Sequence, residues 1–300
     1  MGEYIEEWGL KELKKAKGIK MVNINIGSLN AHESEFKAVF SGKEIEIINV
    51  SESWLKEDSD PNIFKLDGYT IVRQDRKTKT SGGGLISFID SKFEVDYESY
   101  KHLNSDDKSF EVMVYEIKIP GNKPLMVISC YKPLHISFDI ANEKLNEVIK
   151  GINNNVELYL VGDLNVDYKI KHGARFHKLK LFENKNILKQ YIKSTTRPKE
   201  KSATAIDLIY SNSSNINKVG TNSWKPADHF STFVIRKPAK IIKTKETVLT
   251  RRATDFVEDR VRIAYENENW NDFFSTDDVN RKWEILISKI DKVINDQCRM

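Results

Sequence analysis

Polar residues that can do chemistry stand at the ends of several strongly apolar runs in this sequence. The runs are rich in Ile, Val and Tyr, and at these points side chains chosen only for packing would be apolar. The set comprises Asn25, Glu52, Tyr131, Asp163, Asn165, Asp207, Asp228 and His229. Ligands of sheet proteins bind where strand ends converge, so these side chains are candidates for one shared site. Carboxylate, amide and imidazole groups together can bind a hard cation and transfer protons.

Some of these residues also have purely local explanations. The segment Gly162-Asp-Leu-Asn165 has the composition of a turn, Glu52 could be a solvated side chain, and a lone His229 could be structural. Asp207 is different, because it lies between Ile206 and Leu208 in an apolar run, and a buried carboxylate needs a partner to offset its desolvation. A histidine is a suitable partner.

Short strands interspersed with a few helices are predicted from about residue 19 to residue 236. Alternating or continuous apolar patterns predict strands over Val22–Ile26, Glu44–Val50, Tyr69–Arg73, Leu85–Ile89, Glu111–Ile119, Leu125–Tyr131, Val156–Val161, Ala205–Tyr210 and Phe230–Arg236. Helical periodicity appears over 32–41, 137–152 and 174–185, with Ser137 as a cap. Strands that follow one another directly imply antiparallel pairs, so the class is α/β (α+β) with mixed sheets covered by helices.

The two ends of the chain have different patterns. Residues 1–18 are expected to form a leader helix, since Ile5, Trp8 and Leu13 recur at helical spacing and Gly18 can stop the helix. Residues 237–252 are basic and predict a linker. Residues 253–300 predict a C-terminal helical tail, with helices near 254–268 and 277–296. The chain ends without a cap or a polar ending, which suggests a fragment of a longer polypeptide.

Composition excludes several classes of protein. The apolar fraction of 39% and charged fraction of 31% are typical of a globular protein, and the net charge of +4 is weak evidence for a polyanionic partner. No apolar run approaches the roughly 18 to 20 residues of a membrane span, and no secretory signal is present, so we expect an intracellular protein. Cys130 and Cys298 lack metal-ligand spacing and predict two free thiols.

Taken in order, the polar set resembles the endonuclease/exonuclease/phosphatase superfamily over residues 19–236. Within it, the sequence looks most like the apurinic-type endonuclease domain of LINE-type (non-LTR) retrotransposons. The motifs that support this are Asn25-Ile-Gly-Ser-Leu29, Ser51-Glu-Ser-Trp-Leu55, Gly68-Tyr69, Arg73-Gln-Asp-Arg76, Gly82-Gly-Gly84, Tyr131-Lys-Pro133, Gly162-Asp-Leu-Asn165, Thr196-Arg197, Ile206-Asp-Leu-Ile209 and Asp228-His229.

The resemblance implies a four-layered α/β/β/α sandwich of two mixed sheets, with the site at one edge. It implies that Glu52, Asn25 and Asp228 hold Mg²⁺, with Mn²⁺ as an alternative ion. Asp163 would deprotonate the attacking water and Asn165 would help to position it. His229, held by Asp207, would donate to a phosphate oxygen, and Tyr131 would offer its hydroxyl to the phosphate or leaving group.

Four residues are expected to bind substrate, and two positions depart from the family pattern. Arg73, Arg76, Thr196 and Arg197 are the substrate-binding candidates, within basic segments that also contain Lys77, Lys79, Lys193, Lys199 and Lys201. Solvated loops would explain either segment equally well; as DNA contacts they would give salt-dependent affinity with little sequence information. The departures are Ala227 in place of the family's Ser and Gly27 in place of an acidic or amide residue.

The expected function is therefore that of a Mg²⁺-dependent endonuclease that nicks double-stranded DNA to leave a 3′-hydroxyl and a 5′-phosphate. In a retrotransposon the free 3′ end would prime a reverse transcriptase encoded downstream of residue 300, and the protein would act in the nucleus. Two alternatives stay open. One is a phosphoesterase of the same superfamily that acts on a lipid, inositol phosphate or nucleotide, and the other is a catalytically inactive nucleic-acid-binding module, suggested by Ala227.

Overall fold

Two seven-stranded sheets form the centre of the protein in a computed structural model that describes residues 3–76, 82–106, 110–199, 202–238 and 257–297. The strands are β1 (Glu3–Trp8), β2 (Ile19–Asn25), β3 (Ile47–Ser51), β4 (Tyr69–Gln74), β5 (Leu85–Asp90), β6 (Glu94–Asp96), β7 (Ser105–Asp106), β8 (Glu111–Lys118), β9 (Leu125–Tyr131), β10 (Glu157–Asp163), β11 (Lys189–Gln190), β12 (Arg197–Lys199), β13 (Ser202–Thr204), β14 (Asp207–Ser211), β15 (Ile216–Asn222) and β16 (Thr232–Arg236).

The helices are α1 (Leu10–Lys15), α2 (Glu33–Phe40), α3 (Pro61–Phe64), α4 (Phe138–Lys150), α5 (Gly173–Asn186), α6 (Glu258–Glu266), α7 (Asn271–Phe274) and α8 (Val279–Gln297), with a 3₁₀ helix over Glu98–Leu103. Ser137 precedes α4 as its N-terminal cap residue, although its side chain makes no capping hydrogen bond. No helix within the described ranges is long and apolar enough to span a bilayer.

The first sheet has the strand order β1-β15-β16-β2-β3-β5-β4. The second has the order β11-β14-β10-β9-β8-β6, and β7 pairs with β8. Both sheets are mixed, because β2 and β3 are parallel, as are β9 and β10, whereas most of their neighbours pair antiparallel. The short strands β12 and β13 form a separate hairpin.

Three apolar clusters define the layers. One lies between the sheets and joins residues such as Ile47 of the first sheet to Val127 of the second. A second packs the outer face of the first sheet against α1 and α2, and a third packs the outer face of the second sheet against α4 and α5. Burial of these faces is the main favourable term for a fold of this kind. The α/β/β/α sandwich expected from the sequence is confirmed.

Each strand predicted from the apolar pattern is present, with ends that differ by a few residues, and the helices predicted over 32–41, 137–152 and 174–185 correspond to α2, α4 and α5. β15 was not predicted because its sequence, Ile-Asn-Lys-Val-Gly-Thr-Asn, contains residues that are rare in strands. Pairing with β1 and β16 on its two sides holds it in the sheet nevertheless.

The prediction of a separate leader helix is wrong for its first half. Residues Glu3–Trp8 form β1, which pairs in parallel with β15, and only Leu10–Lys15 is helical. The Tyr4 hydroxyl lies 2.6 Å from Ser194 Oγ, and the Trp8 ring packs 5.5 Å from the Phe233 ring. These tertiary contacts override the local helical spacing, so the N-terminal segment is part of the first sheet.

The chain divides into two compact units, Met1–Ile242 and Lys243–Met300. The second contains α6, α7 and α8, with Val261 and Val293 at its small apolar core, so a C-terminal helical tail is present. Most of the predicted linker, from residue 239 onward, and Cys298 lie outside the described residues. Cys130 is a buried free thiol.

Candidate active site

A row of polar side chains crosses one end of the second sheet. Tyr131 ends β9, Asp163 ends β10 and Asp207 begins β14, and the three are direct partners in the strand register. Register partners project their side chains from the same face of a sheet, so these three groups are adjacent although the chain separates them widely. Glu111, at the start of β8, pairs with Tyr131 and extends the row by one strand.

Gly162 allows Asp163 to reach this position. Its φ is +151°, and a Cβ atom at residue 162 would lie 1.9 Å from the carbonyl oxygen of Cys130 on β9. No other residue fits such a close approach of two backbones. After Asp163 the backbone stays tied to both neighbouring strands, because the Leu164 amide donates to the Ile206 carbonyl at 3.0 Å and the Lys132 amide to the Asp163 carbonyl at 2.9 Å. The Asp163 carboxylate is therefore rigidly placed.

Asn25 connects the two sheets at this edge. It ends β2 of the first sheet, and Glu52 follows β3, the neighbouring parallel strand. The Asn25 Nδ2 group donates to Glu52 Oε1 at 2.8 Å and to Asp163 Oδ2 at 3.0 Å. One amide thus holds a carboxylate from each sheet within hydrogen-bonding reach. Glu52 and Asp163, which are more than a hundred positions apart in the sequence, belong to one site.

The loop that carries Glu52 has a strained but firmly held backbone. Glu52 has a φ of +51°, a left-handed conformation that is uncommon for residues other than Gly and costs free energy. Its carbonyl accepts from the Ser28 amide at 2.9 Å, and the Ser53 amide donates to the Gly84 carbonyl at 3.1 Å. Two neighbouring loops therefore fix the strained segment, as is common at functional sites.

Asp207 and His229 form a buried pair. His229 Nδ1 lies 2.8 Å from Asp207 Oδ2, and the Asp207 side chain is fully buried. The partner that the sequence required for Asp207 is therefore His229. Asp207 Oδ1 has no hydrogen-bond partner within the part of the chain that the structure describes, so this buried oxygen is available for a further donor or a cation.

Burial and charge shift the pKa values of these groups upward. Burial, reinforced by the neighbouring Asp207 carboxylate, raises the pKa of Asp163 to about 7. Burial by itself would lower the pKa of His229, but Asp207 outweighs it, with help from Asp163, and the pKa rises to about 9. Burial and the nearby Glu52 carboxylate also raise the pKa of Tyr131. At neutral pH the site thus holds a protonated imidazole, a neutral phenol and a carboxyl group poised to titrate.

The donor set of the site suits a divalent metal ion. One ligand atom from each of Asp163, Asp207 and His229 can be chosen so that all three lie within 4.8 Å of one another. Glu52 lies next to this group, because Asn25 donates to both Glu52 and Asp163. Carboxylate oxygens such as those of Glu52 are ligands that Mg²⁺ and Mn²⁺ prefer. The orphaned Asp207 Oδ1 is consistent with such an ion.

Asp228 has a different environment from the other residues proposed as metal ligands. Its Oδ2 accepts from Arg197 Nε at 2.8 Å, its Oδ1 lies 3.6 Å from His229 Nε2, and its side chain is 53% exposed. Burial alone would raise the pKa of Asp228, but the hydrogen bond from Arg197 outweighs burial and keeps this pKa below its usual value. Within the described residues its ionic contacts are with Arg197 and His229, so Asp228 flanks the buried cluster as an exposed carboxylate.

The substrate-binding candidates are largely committed to contacts within the protein. Thr196 is fully buried, and its hydroxyl accepts from the Ile206 amide at 3.0 Å and the Asp207 amide at 3.1 Å. Thr196 therefore helps to position Asp207 within the protein, and its contact with substrate stays a prediction. Its own carbonyl accepts from the Phe230 amide at 2.7 Å, which also fixes the segment that carries His229.

Arg73 and Arg76 are also paired internally. Arg73 lies 2.8 Å from the Asp75 carboxylate and donates to the Lys56 carbonyl at 3.2 Å. Arg76 forms an ion pair with the buried Glu111. Arg197 lies beside the buried cluster through its ion pair with Asp228, while Lys77, Lys79 and Lys201 lie outside the described residues.

Glu111 is a site residue that the sequence analysis missed. Its Oε2 accepts from the Gly84 amide at 2.8 Å, its other oxygen pairs with Arg76, and the Arg76 guanidinium carbon lies 5.8 Å from the centre of the Tyr131 ring. Glu111 therefore supports both Tyr131 and the loop against which Glu52 rests. An acid that opens an otherwise apolar strand was the available signal, as it was for Asp207.

The two departures from the family pattern are neighbours in space. A Cβ atom at Gly27 would lie 3.7 Å from the Ala227 Cβ. Two small residues therefore face each other at this point, Gly27 two positions after Asn25 and Ala227 directly before Asp228. Neither departure disturbs the Asn25–Glu52–Asp163 contacts or the Asp207–His229 pair.

Solved structures with the same fold are known, although neither a protein-family model nor a curated protein sequence matches this chain. The endonuclease domain of TRAS1, a telomere-specific non-LTR retrotransposon, superposes with a TM-score of 0.60 at 13% identity, covering 73% of this chain and 98% of that domain. AP endonuclease LMAP from Leishmania major gives a TM-score of 0.60 at 10% identity, covering 79% and 93%.

A third similar structure is the 3′-5′ exonuclease NExo from Neisseria meningitidis, with a TM-score of 0.56 at 15% identity, covering 73% of this chain and all of that one. At these identities the likeness concerns the fold. At that level the α/β/β/α sandwich of this chain matches the fold of those proteins.

Proposed function

We propose that this protein is a Mg²⁺-dependent endonuclease that hydrolyses phosphodiester bonds of double-stranded DNA and leaves a 3′-hydroxyl and a 5′-phosphate. The observation that carries the proposal is the meeting of Asn25, Glu52 and Asp163 from two sheets, beside the buried Asp207–His229 pair. A phosphodiester is an anion attacked by a weak nucleophile, so its hydrolysis needs a base for water and donors for the developing charge. This site supplies both.

Each residue has a role that follows from its contacts. Asp163 accepts the proton of the attacking water, and its raised pKa suits a base that works near neutral pH. The Asn165 backbone amide donates to Asp163 Oδ1 at 2.8 Å, and Asp163 Oδ2 accepts from Asn25 Nδ2 at 3.0 Å and from Asn165 Nδ2 at 3.3 Å, so these donors hold the carboxylate in place. His229, charged and held through Nδ1 by Asp207, donates from Nε2 to a phosphate oxygen. Tyr131 keeps its proton and donates to the phosphate or leaving group.

The metal ion belongs with Glu52 in this proposal, with Asn25 and Asp228 as further ligands. When bound, a hard divalent cation neutralises negative charge on the phosphate oxygens. Asp163 and Asp207 form an alternative set with His229, whose ligand atoms are close together. We favour Glu52, because Asp163 is then free to act as the base while Asp207 orients His229. A carboxylate that binds a metal and a carboxylate that accepts a proton need different environments. Asp228, proposed as a metal ligand, is exposed, whereas Asp163, proposed as the base, is buried.

DNA is the favoured substrate because two of the similar structures are named as endonucleases, one of a retrotransposon and one of the AP class. The Thr196-Arg197 motif and the glycines 82–84, which match the retrotransposon branch, support the same choice. In that setting the 3′-hydroxyl would prime a reverse transcriptase on the same polypeptide, in the nucleus. A phosphoesterase for inositol phosphates or nucleotides is the second candidate, favoured by the breadth of chemistry this fold supports.

Comparing substrate classes tests this proposal. Supercoiled plasmid, inositol phosphates and nucleotides are incubated with the protein and Mg²⁺ at equal enzyme concentration, and nicked circles and free phosphate are measured. We expect nicked circles and no phosphate release. Phosphate release from a small molecule without nicking would replace the endonuclease by the second candidate. DNA binding without any hydrolysis would replace it by an inactive binding module.

The pH dependence of nicking is expected to be bell-shaped. Asp163 must be unprotonated to accept a proton, so below its pKa of about 7 the rate falls about tenfold per pH unit. His229 must be protonated to donate, so above its pKa of about 9 the rate falls again. Nicking rates at saturating Mg²⁺ across this range test both limbs. In the variant His229→Asn the alkaline limb is expected to disappear; a wild-type rate that is constant from acid to neutral pH would contradict the role of Asp163.

A further inference from the structure

Trp54 stands next to the site but has no role in the reaction described above. Among the described residues before 239 it is the exposed aromatic side chain, with 44% of its surface accessible, while the other Phe, Tyr and Trp residues there are buried or half-buried. It belongs to none of the apolar clusters of the sandwich. An exposed large aromatic ring gains little from folding, so its presence at this point calls for another explanation.

The orientation of the Trp54 ring is fixed by its neighbours. Its indole Nε1–H donates to Glu52 Oε2 at 3.3 Å, while Glu52 Oε1 accepts from Asn25. Its backbone amide donates to the Gly83 carbonyl at 2.9 Å, and its φ of +56° is a second left-handed conformation in the same loop. The protein thus accepts backbone strain at Trp54 without burying the ring, as is typical of functional residues.

The Trp54 ring stands open to solvent next to a carboxylate of the site. Gly82 lies beside its indole edge, where a Cβ atom would be in ordinary contact, 3.8 Å from Trp54 Nε1 and 3.8 Å from an Arg76 nitrogen. Flat aromatic faces bind nucleobases by stacking, in a manner that tolerates any base.

We infer that Trp54 is a substrate-binding residue whose indole stacks on a nucleobase that is unstacked from the duplex beside the cleaved phosphate, an inference that rests on the proposed function. The contact with Glu52 ties the ring to the reacting end of the site, so a nucleic acid bound there has a base within reach of the ring. Stacking explains together the exposure, the tether to Glu52 and the strained backbone. It also favours a nucleic acid over an inositol phosphate, which has no flat face to stack.

Two variants separate stacking from the hydrogen bond to Glu52. Trp54→Phe keeps a flat ring and removes the N–H donor, whereas Trp54→Leu removes both. Trp283→Phe, at an exposed tryptophan of the C-terminal unit, is the matched control. For each protein we would measure KM and kcat for plasmid nicking, binding of a labelled DNA duplex in the presence of a chelator, and quenching of tryptophan fluorescence by unlabelled duplex. Circular dichroism melting checks that each variant is folded.

We expect Trp54→Leu to raise KM and the duplex Kd about tenfold with little change in kcat, since one base stack is lost. Trp54→Phe should stay within about threefold of wild type in both quantities, because a phenyl ring still stacks. DNA should quench the fluorescence of wild type and Trp283→Phe, and should quench Trp54→Phe much less.

Folded Trp54→Leu protein with unchanged KM and duplex Kd would overturn the inference. Equal loss of kcat in the Phe and Leu variants, without a change in KM, would also overturn it, because the residue would then act only through Glu52. Wild-type protein that shows quenching dependent on Trp54 but never nicks DNA would refute the endonuclease proposal and retain the stacking contact. The stacking contact of Trp54 and the endonuclease proposal can therefore be refuted independently of each other.

Discussion

The variant Asp163→Ala is expected to lose DNA nicking by about a thousandfold or more, the range typical for removal of a general base. Asp163 is fully buried at the junction of the two sheets, where its carboxylate accepts hydrogen bonds from Asn25 and Asn165 and not from bulk solvent. Without its carboxylate, the attacking water loses the proton acceptor that the proposed mechanism assigns to it. Single-turnover nicking at saturating Mg²⁺ measures this loss directly.

The same variant distinguishes the two sets of metal ligands. If Glu52, Asn25 and Asp228 hold the ion, Mn²⁺ binding measured by calorimetry should be nearly the same in Asp163→Ala as in wild type. If Asp163, Asp207 and His229 hold it, metal affinity should fall together with the rate. Asp139→Ala, at an exposed carboxylate paired with Lys178, is the control and should match wild type in both assays. Undiminished nicking by Asp163→Ala would refute its assignment as the base.

The second large effect is expected for Glu52→Ala, which should weaken metal binding and raise the Mg²⁺ concentration needed for half-maximal nicking about a hundredfold. Asn25 donates to one oxygen of the Glu52 carboxylate and Trp54 to the other, so the group is held in place at the site. Titration of nicking with Mg²⁺, and of the protein with Mn²⁺ by calorimetry, should show the same change in affinity.

A conservative variant separates charge from shape at Glu52. Glu52→Gln keeps the volume of the side chain and an oxygen that can accept from Asn25, but it lacks the negative charge that attracts a cation. It should therefore resemble Glu52→Ala in metal affinity while its melting temperature stays near that of wild type. Normal metal affinity in both variants would move the metal site away from Glu52 and toward the Asp163 cluster.

Sequence reasoning succeeded where a residue's type conflicts with its local pattern. Asp207 was identified as needing a partner because it interrupts an apolar strand, and the structure provides His229 at 2.8 Å. The strands and layers were predictable for the same physical reason, because apolar periodicity reports burial. The family resemblance then indicated that the polar residues at the strand ends belong to one site.

The failures concern contacts that only the folded chain creates. The ion pair of Arg76 was not predicted because its partner, Glu111, is distant in the sequence, and the hydrogen bonds of Thr196 were not predicted because they depend on the placement of β14. β1 was read as helix because its pairing strand, β15, is more than two hundred residues away. Local pattern cannot reveal such partners, since long-range pairing decides them.

The most direct measurement of the central claim is nicking of supercoiled plasmid by wild-type protein with Mg²⁺, with a chelator, and by Glu52→Ala with Mg²⁺. We expect relaxed circles only in the first reaction, with nicks that a DNA polymerase extends without prior phosphatase treatment, as a free 3′-hydroxyl requires. Nicking that survives the chelator, or that Glu52→Ala performs as well as wild type, would contradict a metal-dependent site built around Glu52, Asp163 and His229.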